Sequence, residues 1–304
     1  FIGRLLAARL APQGLDRDPA RWPLEHQLLA ALHMADAPGA LVLGEPTATL
    51  HAVLRDHDAL AEDVATTLPA GSSAGGEQAK FLAQRAEDGA ALLVKFSPPR
   101  GTPFGERWHD LLHAEALALD TLAAHGVPVA SARVVETARR TYLESLRFDR
   151  VGRTGRRHAV PLWAVHDAFV PGPRRHWAAT CEALAAQRRL SADAATQVRA
   201  LLHFGRLIGN SDMHFGNLSL FVSSADAARG RFTLAPVYGM LPMRWRPDVT
   251  TGALDWLPFT PEPIDLQSAA RPVAQAFWRR LAAHGPLSAG FRALAREMTA
   301  RTAG

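Results

Sequence analysis

The sequence predicts an α+β protein of two lobes, a mixed N-terminal lobe with an antiparallel sheet and a mainly α-helical C-terminal lobe. Short apolar runs bounded by turn-forming residues recur between positions 71 and 150, which is the pattern of strands. From Pro161 onward the apolar residues recur at helical spacing instead. The chain has 304 residues, of which 48% are hydrophobic, so each lobe can bury its own core.

Composition narrows the class of protein. Cys181 is the only cysteine, which excludes an internal disulfide framework and a cysteine-rich zinc site. No apolar run approaches the roughly 20 residues that span a bilayer, so we expect a cytoplasmic protein that binds no membrane. The net charge, 34 − 29 = +5, is modest, and we do not expect direct nucleic-acid binding. Because the chain begins at Phe1 rather than Met, we expect its start to be missing or processed.

Residues 1–70 are predicted to form a helical subdomain. Apolar residues recur at helical spacing in Glu25–Ala35 and Thr47–Thr67, with a short strand predicted between them at Leu41–Leu43. The polar triplet Asp56-His57-Asp58 favours a solvated helix face. Nothing in this region indicates chemistry.

Residues 71–150 are predicted to form the lobe that holds the sheet. The predicted strands are Phe81–Ala86, Ala90–Phe96, Val127–Val135 and Arg140–Phe148, and the predicted helix is Glu106–His125. A loop of small residues, Pro69–Lys80, leads into the first strand. Successive backbone N–H groups in such a loop can approach phosphate oxygens, although the composition alone also fits a flexible linker.

Lysine is rare enough in this chain to be informative. Of the 34 basic side chains only Lys80 and Lys95 are lysine. Lys95 lies inside an apolar strand, where it needs an anionic partner to avoid a large desolvation penalty. Glu115 on the following helix offers that partner, as in the strand-lysine and helix-glutamate arrangement of protein kinases. We expect Lys95 to hold ATP phosphates and Glu115 to orient it; a surface glutamate is the alternative for Glu115.

Residues 151–304 are predicted to form the helical lobe. Its predicted helices are Pro161–Phe169, Trp177–Arg189, Ser191–Gly209, Pro272–His284 and Pro286–Thr302. The predicted strands Leu218–Val222 and Phe232–Tyr238 flank a polar connection, Ser223–Arg231. The proline-rich stretch Ala253–Leu266 is predicted to be extended.

The most informative stretch is residues 207–220, between a long predicted helix and a short predicted strand. It contains Asp212, His214 and Asn217 in the arrangement D-x-H-x-x-N. Phosphoryl transfer needs a carboxylate that accepts or orients the proton of the attacking hydroxyl. It also needs a ligand for the Mg²⁺ that bridges the phosphates, which an amide oxygen five residues on can provide. Asp212 and Asn217 fit these two roles, and His214 can brace the loop by hydrogen bonds to the backbone.

Glycines on both sides of the motif support a tight loop. Gly209 and Gly216 permit backbone angles that such a turn requires. The alternative is an ordinary polar turn that ends a helix. The apolar runs before and after the motif favour the catalytic interpretation.

The loop resembles the catalytic loop of HipA-like serine/threonine kinases, the toxin half of a bacterial toxin-antitoxin system. Matching segments extend over residues 70–300. The resemblance implies a protein-kinase-like fold that uses ATP and Mg²⁺ to phosphorylate a serine or threonine of a protein. Aminoacyl-tRNA synthetases are known targets in the family, and the implied partner is an antitoxin protein.

The small-residue loop also resembles the family. Ser73, Gly76, Gln78 and Lys80 match the phosphate loop S-x-x-G-x-Q-x-K. The resemblance implies that Ser73 corresponds to the serine that this family autophosphorylates, an event that expels the loop and silences the kinase.

The end of the last predicted N-lobe strand resembles the E-R-F-D-R hinge of the family, where backbone groups receive adenine. Leu146 stands where the family often has glutamate, which puts base recognition by that side chain in doubt. Phe148 matches the family position and can stack on the purine; a core aromatic at a strand end is the alternative.

The family pattern breaks at Gly239. The neighbours on both sides match, but the family has an aspartate there as the second magnesium ligand, and glycine offers none. With Asn217 as the remaining side-chain ligand, we expect turnover lower by several powers of ten. Three explanations stay open: an inactivating substitution in an active scaffold, which we favour; a natural pseudokinase; or a replacement ligand from Asp248 or Asp255.

Two other functions also stay open. A small-molecule kinase of the aminoglycoside or choline type uses a similar D-x-H-x-x-N loop and predicts a roomy acidic acceptor cleft, which the arginine-rich C-terminal lobe does not favour. A non-catalytic module that binds nucleotide and an antitoxin is favoured by Gly239.

Overall fold

A computed structural model describes residues 52–67, 78–152, 155–227, 229–248, 251–252 and 254–303. The predicted helix Glu25–Ala35 and the predicted strand Leu41–Leu43 lie outside the described residues, as do Ser73 and Gly76. Among the helices that are described, none has the length and apolar character needed to cross a membrane. The architecture is α+β with two lobes, as the sequence predicted.

The N-terminal lobe is built on a five-stranded sheet with the order β1-β2-β3-β5-β4. Its strands are β1 Ala52–Leu54, β2 Lys80–Arg85, β3 Ala91–Phe96, β4 Ala132–Glu136 and β5 Thr141–Leu146. The β1–β2 pair is parallel, and the other three pairs are antiparallel. Each predicted strand of this lobe is present, with ends that differ by a few residues.

Alternation along β3 decides which side chains face the core of the lobe and which face the cleft. Leu92, Val94 and Phe96 are buried in the lobe core. Successive side chains of a strand point to opposite faces, so Lys95 lies on the other face. The antiparallel register places Lys80 of β2 directly beside Lys95.

The first described segment differs from the single helix predicted for Thr47–Thr67. Residues Ala52–Leu54 form β1, and helix α1 covers only His57–Thr67. Asp56 separates the two elements because its Oδ1 accepts two backbone N–H groups of the first helical turn, at 2.9 and 3.1 Å. Such a cap fixes where a helix begins, and helical spacing of apolar residues does not reveal it.

Helix α1 also packs on the sheet through His57 and Asp58. The sequence had favoured a solvated helix face for these residues, and that prediction is wrong. The hydroxyl of Tyr142 donates a hydrogen bond to Asp58 Oδ1 at 2.6 Å. His57 Nε2 lies 2.7 Å from Glu144 Oε1. Two strand side chains thus hold the start of α1 against β5.

Helix α2, Pro103–Ala124, packs against the sheet and carries Glu115. It begins three residues before the predicted start, because Thr102 Oγ1 accepts the N–H of Gly105 at 3.0 Å and a proline occupies the first helical position. Side chains of α2 are buried on most of its circumference. The helix therefore contacts elements of both lobes and fixes the position of Glu115.

The C-terminal lobe is mainly helical. Its helices are α3 Leu162–Phe169, α4 Trp177–Ala186, α5 Ala192–Leu207, α6 Ser224–Ala227, α7 Pro263–Leu266, α8 Arg271–Ala283 and α9 Ala289–Ala303. The largest fully buried side chains of its core include Trp177, Phe204, Phe277 and Trp278. Their burial supplies the apolar area that holds α4, α5 and α8 together.

Short strands complete the lobe. β6 Arg150–Val151 pairs antiparallel with β7 Gly155–Arg156. A separate three-stranded sheet has the order β10 Thr233–Leu234, β9 Ser219–Phe221 and β8 Ala159–Pro161. The strand predicted for Phe232–Tyr238 is limited to Thr233–Leu234. Beyond it the chain leaves this sheet, and Val237 forms a parallel bridge with Val129 near the N-terminal lobe.

Two predictions for connecting segments were wrong in detail. The polar connection Ser223–Arg231 contains the short helix α6. The extended segment Ala253–Leu266 ends in helix α7, which begins at Pro263. Proline at a first helical position is compatible with a helix, so a proline-rich stretch does not exclude one.

Candidate active site

Helix α5 delivers the D-x-H-x-x-N loop to the cleft between the two lobes. Ser191 caps its start by accepting the N–H of Ala194 on Oγ at 3.1 Å. At the other end Gly209 has a φ of +74°, in the left-handed region that glycine adopts after a helix. A Cβ on Gly209 would lie 2.8 Å from the ring of Trp245, so the glycine also permits close packing.

Asp212 and Asn217 lie in contact across the loop. Asn217 Nδ2 donates to the backbone oxygen of Asp212 at 2.7 Å and to its Oδ2 at 3.2 Å. Asn210 Oδ1 accepts the N–H of Asp212 at 3.0 Å and fixes the backbone there. The Asp212 side chain is still 43% exposed, so a hydroxyl from a substrate can reach it.

His214 braces the loop, as its spacing suggested. Its Nδ1 accepts the N–H of Gly216 at 2.9 Å, and its backbone oxygen accepts Trp177 Nε1–H at 3.1 Å. Gly216 has no left-handed φ, contrary to the expectation from sequence. Glycine is needed there for a different reason, since a Cβ would lie 2.8 Å from the His214 ring.

Tyr238, in the segment beyond β10, supports the same loop. Its hydroxyl donates to the backbone oxygen of Gly216 at 3.1 Å and lies 2.8 Å from Ser219 Oγ. Burial raises the pKa of Tyr238, so the phenol stays protonated and continues to donate. Ser219 was not assigned a role from sequence, because no motif position singled it out.

Gly239 lines the cleft beside Tyr238. Its φ is +64°, and a Cβ built on it meets no atom within 4 Å. Aspartate is among the residues that enter this left-handed region at modest cost. A Cβ at position 239 therefore meets no atom of the described residues, although the left-handed φ makes a substitution there strained.

Lys95 forms an ion pair with Glu115, in the arrangement expected from sequence. Its Nζ lies 2.6 and 2.7 Å from the two carboxylate oxygens. The Glu115 side chain is only 2% exposed, so the charge on Lys95 stabilises a carboxylate that water does not reach. The pair joins β3 to α2 at the edge of the cleft.

Lys80 lies in the same group of charges. Burial and the neighbouring ammonium of Lys95 lower the pKa of Lys80, and the carboxylates of Glu115 and Asp212 only partly offset them. An anion placed between the two lysines relieves this repulsion. Phosphate oxygens have the required charge.

The segment after β5 forms the wall where adenine binding was expected. Leu146, 38% exposed, ends the strand and lines the cleft. Phe148 also lines it, with its ring centroid 5.8 Å from Phe221 and 5.6 Å from Tyr238. Phe148 thus packs on other aromatic rings, as a core aromatic does, and also borders the cleft, while its contact with a purine stays a prediction.

Asp149 is a cleft residue that sequence reasoning did not assign, although it belongs to the R-F-D-R segment. It forms ion pairs with Arg147 at 2.6 Å and with Arg150. Burial opposes ionisation of Asp149, but the hydrogen bond from Arg147 and the charges of both arginines outweigh it and lower its pKa. The ionised carboxylate holds both arginines at the end of the hinge segment.

One cleft of about 390 Å³ collects the described site residues. The sequence-predicted residues among its lining are Gln78, Lys80, Lys95, Glu115, Leu146, Phe148, Asp212, His214, Asn217 and Gly239. Its volume is within the range of small-molecule sites. The structure therefore brings together every predicted site residue that it describes.

The two proposed replacement ligands lie elsewhere. The described lining of the cleft contains neither Asp248 nor Asp255. Asp248 Oδ1 accepts the N–H of Thr251 at 3.0 Å, and Asp255 lies near Arg107. The idea that one of them reaches the metal in place of a residue at position 239 is therefore not supported by the geometry.

The donor atoms present suit ATP and Mg²⁺ only in part. Two lysines on one wall fit phosphates, and oxygen donors on Asp212 and Asn217 are of the type that Mg²⁺ prefers. Gly239 contributes no side-chain oxygen at the position where the resemblance implies one. The residues thus fit a nucleotide well and a bridging metal ion less well.

Comparisons with known proteins agree with these features. The model of the HipA-like C-terminal domain family matches residues 72–302. The chain is 34% identical over 319 residues to Toxin YjjJ of Escherichia coli K12, covering 98% of this chain and 71% of that protein. HipA of Shewanella oneidensis MR-1, solved with HipB and its operator DNA, superposes with a TM-score of 0.56 and 16% identity, over 86% of this chain and 72% of that one.

A further solved structure, the proinflammatory kinase CtkA of Helicobacter pylori, aligns with a TM-score of 0.46 and 13% identity, over 76% of this chain and 89% of that one. At 16% identity the likeness to HipA concerns the fold, which is the protein-kinase-like, two-lobed arrangement expected from the sequence. The family match covers most of the chain, and the identity to Toxin YjjJ extends over nearly all of it. This chain therefore belongs to the HipA-like toxin family.

Proposed function

We propose that this chain is a toxin kinase of the serine/threonine type, built to transfer the γ-phosphate of ATP to a hydroxyl of a protein. One observation carries the proposal. The ion pair of Lys95 and Glu115 and the hydrogen-bonded pair of Asp212 and Asn217 line the same cleft. Phosphoryl transfer requires a cation that holds phosphates and a carboxylate that positions the nucleophile, on opposite sides of one site.

The side chains act on the substrate hydroxyl and on the nucleotide separately. Asp212 accepts or orients the proton of the incoming hydroxyl, and His214 and Asn217 hold the loop that presents it. Lys80 and Lys95 contact phosphate oxygens, and Glu115 keeps Lys95 in place. These roles use positioning and charge, which are the main contributions of a protein to phosphoryl transfer.

The base of the nucleotide occupies the wall formed by the segment after β5. Leu146 offers an apolar surface, and Phe148 offers an aromatic edge or face. Gln78, at the entrance to β2, belongs with Ser73 and Gly76 of the phosphate loop. We propose that Ser73 is the autophosphorylation site, as the resemblance implies.

The site lacks a second side-chain ligand for a metal ion at position 239. Mg²⁺, when bound, neutralises the charge that develops on the phosphoryl group. Asn217 is the side-chain ligand that the loop supplies, and Gly239 supplies none. We therefore propose that the native chain transfers phosphate more slowly than a chain with aspartate at position 239, by several powers of ten.

A protein partner is also proposed. HipA of Shewanella oneidensis was solved with HipB, and the resemblance to this family implies an antitoxin. We propose that this chain binds an antitoxin protein and phosphorylates a different protein. The chemistry of the cleft defines the acceptor only as a hydroxyl that can approach Asp212.

Labelled ATP tests the proposal. The purified chain and its Gly239→Asp variant are incubated with γ-labelled ATP and Mg²⁺, and incorporation is followed by autoradiography and peptide mapping. We expect the variant to label itself at Ser73 at least about 1,000-fold faster than the native chain, because the carboxylate completes the metal site.

Two matched variants make the result specific. Asp212→Asn in the Gly239→Asp background should abolish labelling, and Ser73→Ala in the same background should remove the label from the mapped peptide. Equal labelling of the native chain and Gly239→Asp would refute the role assigned to position 239. Labelling that survives Asp212→Asn would refute the role assigned to Asp212.

A second function is favoured by Gly239 itself. A module that binds nucleotide without transferring phosphate needs the two lysines and the wall formed by the segment after β5. It needs no second metal ligand. It predicts that native chain and Gly239→Asp bind ATP comparably and that neither releases or transfers phosphate. Nucleotide titration alongside the labelling assay separates this function from the kinase.

A further inference from the structure

A second group of metal-ligating side chains lies on α2 and β4, outside the lining of the cleft. His109 and His113 of α2 and Glu136 at the end of β4 each offer one ligand atom, and these atoms lie within 4.8 Å of one another. No other such group of histidine, cysteine or carboxylate side chains occurs among the described residues. The established features of the cleft do not use it.

The spacing of the two histidines suits binding of one metal ion by both. His109 and His113 are four residues apart on a helix, so their side chains lie on the same face, one turn apart. Their ring centroids are 4.6 Å apart. Both rings are buried, which limits their movement and prearranges them.

Glu136 completes the arrangement from a different element. His113 Nε2 and Glu136 Oε1 are 3.2 Å apart. Two ligands on a tetrahedral zinc ion, each about 2.1 Å from the metal, are about 3.4 Å apart. Arg100 holds the other oxygen of Glu136 at 2.7 Å, which orients the carboxylate.

A supporting hydrogen bond already fixes the second nitrogen of His113. His284 Nε2, from the end of α8, lies 2.9 Å from His113 Nδ1. Ligating histidines almost always engage the other ring nitrogen in such a contact, which fixes the tautomer.

We propose that His109, His113 and Glu136 form a binding site for Zn²⁺, with a fourth position left for water. Two imidazoles and one carboxylate favour zinc over the magnesium that serves phosphates. His109 must release one of its present hydrogen bonds, to Thr141 Oγ1 at 2.7 Å or to the backbone oxygen of Pro286 at 3.1 Å. Glu136 is 36% exposed, which gives the ion a route of entry.

Zinc at this site joins α2 to the outer strand β4. Helix α2 also carries Glu115, two residues beyond His113. The ion would therefore hold the helix that orients Lys95 against the sheet. The site itself depends on the geometry of the cluster and not on the proposed phosphoryl transfer.

Zinc titration of the purified chain without nucleotide tests the proposal. We expect isothermal titration with ZnCl₂ to show one site per chain and zinc to raise the melting temperature. His113→Ala should lower zinc affinity by more than about 100-fold, beyond what loss of a supporting contact costs. Glu136→Gln keeps a hydrogen-bond acceptor for His113 and removes the charge, so it should fold normally and lose the zinc-dependent rise in melting temperature.

Two controls fix the location. His125→Ala changes another histidine of the same region, outside the cluster, and should leave zinc affinity unchanged. Asp212→Ala removes a carboxylate that lines the cleft and should also leave zinc affinity unchanged. Absence of zinc binding, or zinc binding that is insensitive to both His113→Ala and Glu136→Gln, would show that the cluster is a hydrogen-bond network only and overturn the proposal.

Discussion

Lys80 and Lys95 stand opposite each other on adjacent strands, where like charges destabilise a sheet unless something compensates. Glu115 compensates Lys95 directly, at 2.6 Å. Among the described residues Lys80 has no comparable ion pair, and burial and Lys95 lower its pKa more than the carboxylates of Glu115 and Asp212 raise it. A bound phosphate would therefore stabilise the charged form of Lys80 more than that of Lys95.

The lowered pKa of Lys80 predicts a pH dependence of nucleotide binding. As the pH rises through this lowered pKa, Lys80 loses its charge and its attraction for phosphate. ATP affinity should therefore fall at alkaline pH in the native chain and fall less in Lys80→Arg, because a guanidinium stays protonated. Titration with a fluorescent ATP analogue at increasing pH measures both profiles; superimposable profiles would contradict the assignment of Lys80 to the phosphates.

Glycines show how one residue type serves different needs in one site. Gly209 and Gly239 have positive φ, whereas Gly216 avoids a clash with the His214 ring. The sequence analysis predicted that Gly209 and Gly216 both provide unusual backbone angles. This is correct for Gly209, whereas Gly216 is needed because the His214 ring lies so close. A sequence alone does not tell whether a glycine is needed for a left-handed φ or for close packing, because both requirements select glycine.

At the scale of elements, the end of α5 decides where the loop starts. Gly209 has a left-handed φ, and a Cβ built on it would lie only 2.8 Å from the Trp245 ring, which is closer than real Cβ contacts come. Replacement therefore introduces both backbone strain and overpacking. Backbone strain and overpacking both lower the free energy of unfolding.

Gly209→Ala should lower the free energy of unfolding by about 2 kcal/mol or more. Gly285→Ala is the matched control, since Gly285 has no left-handed φ and a Cβ there meets nothing within 4 Å. The control should change stability by less than about 0.5 kcal/mol. Urea unfolding of the three proteins provides the comparison, and equal stability of the two variants would show that the loop is not anchored at this glycine.

Helix α2 illustrates what an element adds to its residues. Its regular spacing places Glu115 toward Lys95 and the histidine pair toward β4. The sequence indicated the helix and the role of Glu115, but gave no reason to join His113 to Glu136. That contact depends on how α2 packs against the sheet.

At the scale of the whole molecule, buried carboxylates make the fold sensitive to acid. Glu144 is buried in β5, where its hydrogen bonds to Arg133 and His57 outweigh the effect of burial and lower its pKa. A carboxylate with a lowered folded-state pKa stabilises the protein above its unfolded pKa. This contribution is lost as the pH falls through the lower, folded-state value.

Stability should therefore decline as the pH falls below about 4.5, the ordinary value of a glutamate. Glu144→Gln should be less stable at neutral pH and show a shallower decline. Glu297→Gln, which changes an exposed pair with Arg301, should retain the native pH dependence. Urea melts across the acidic range measure these slopes; a native-like slope in Glu144→Gln would assign the acid sensitivity to other groups.

The sequence by itself determined the family resemblance, the two-lobed α+β fold and the identity of the loop around Asp212, because these depend on local spacing and residue type. It also located the departure at Gly239. Tertiary structure alone decided that Lys80 lies beside Lys95, that Asp149 and Ser219 belong to the site region, and that Glu136 meets the histidines of α2. These contacts depend on strand register and on packing between distant segments, and periodicity along a chain reports neither.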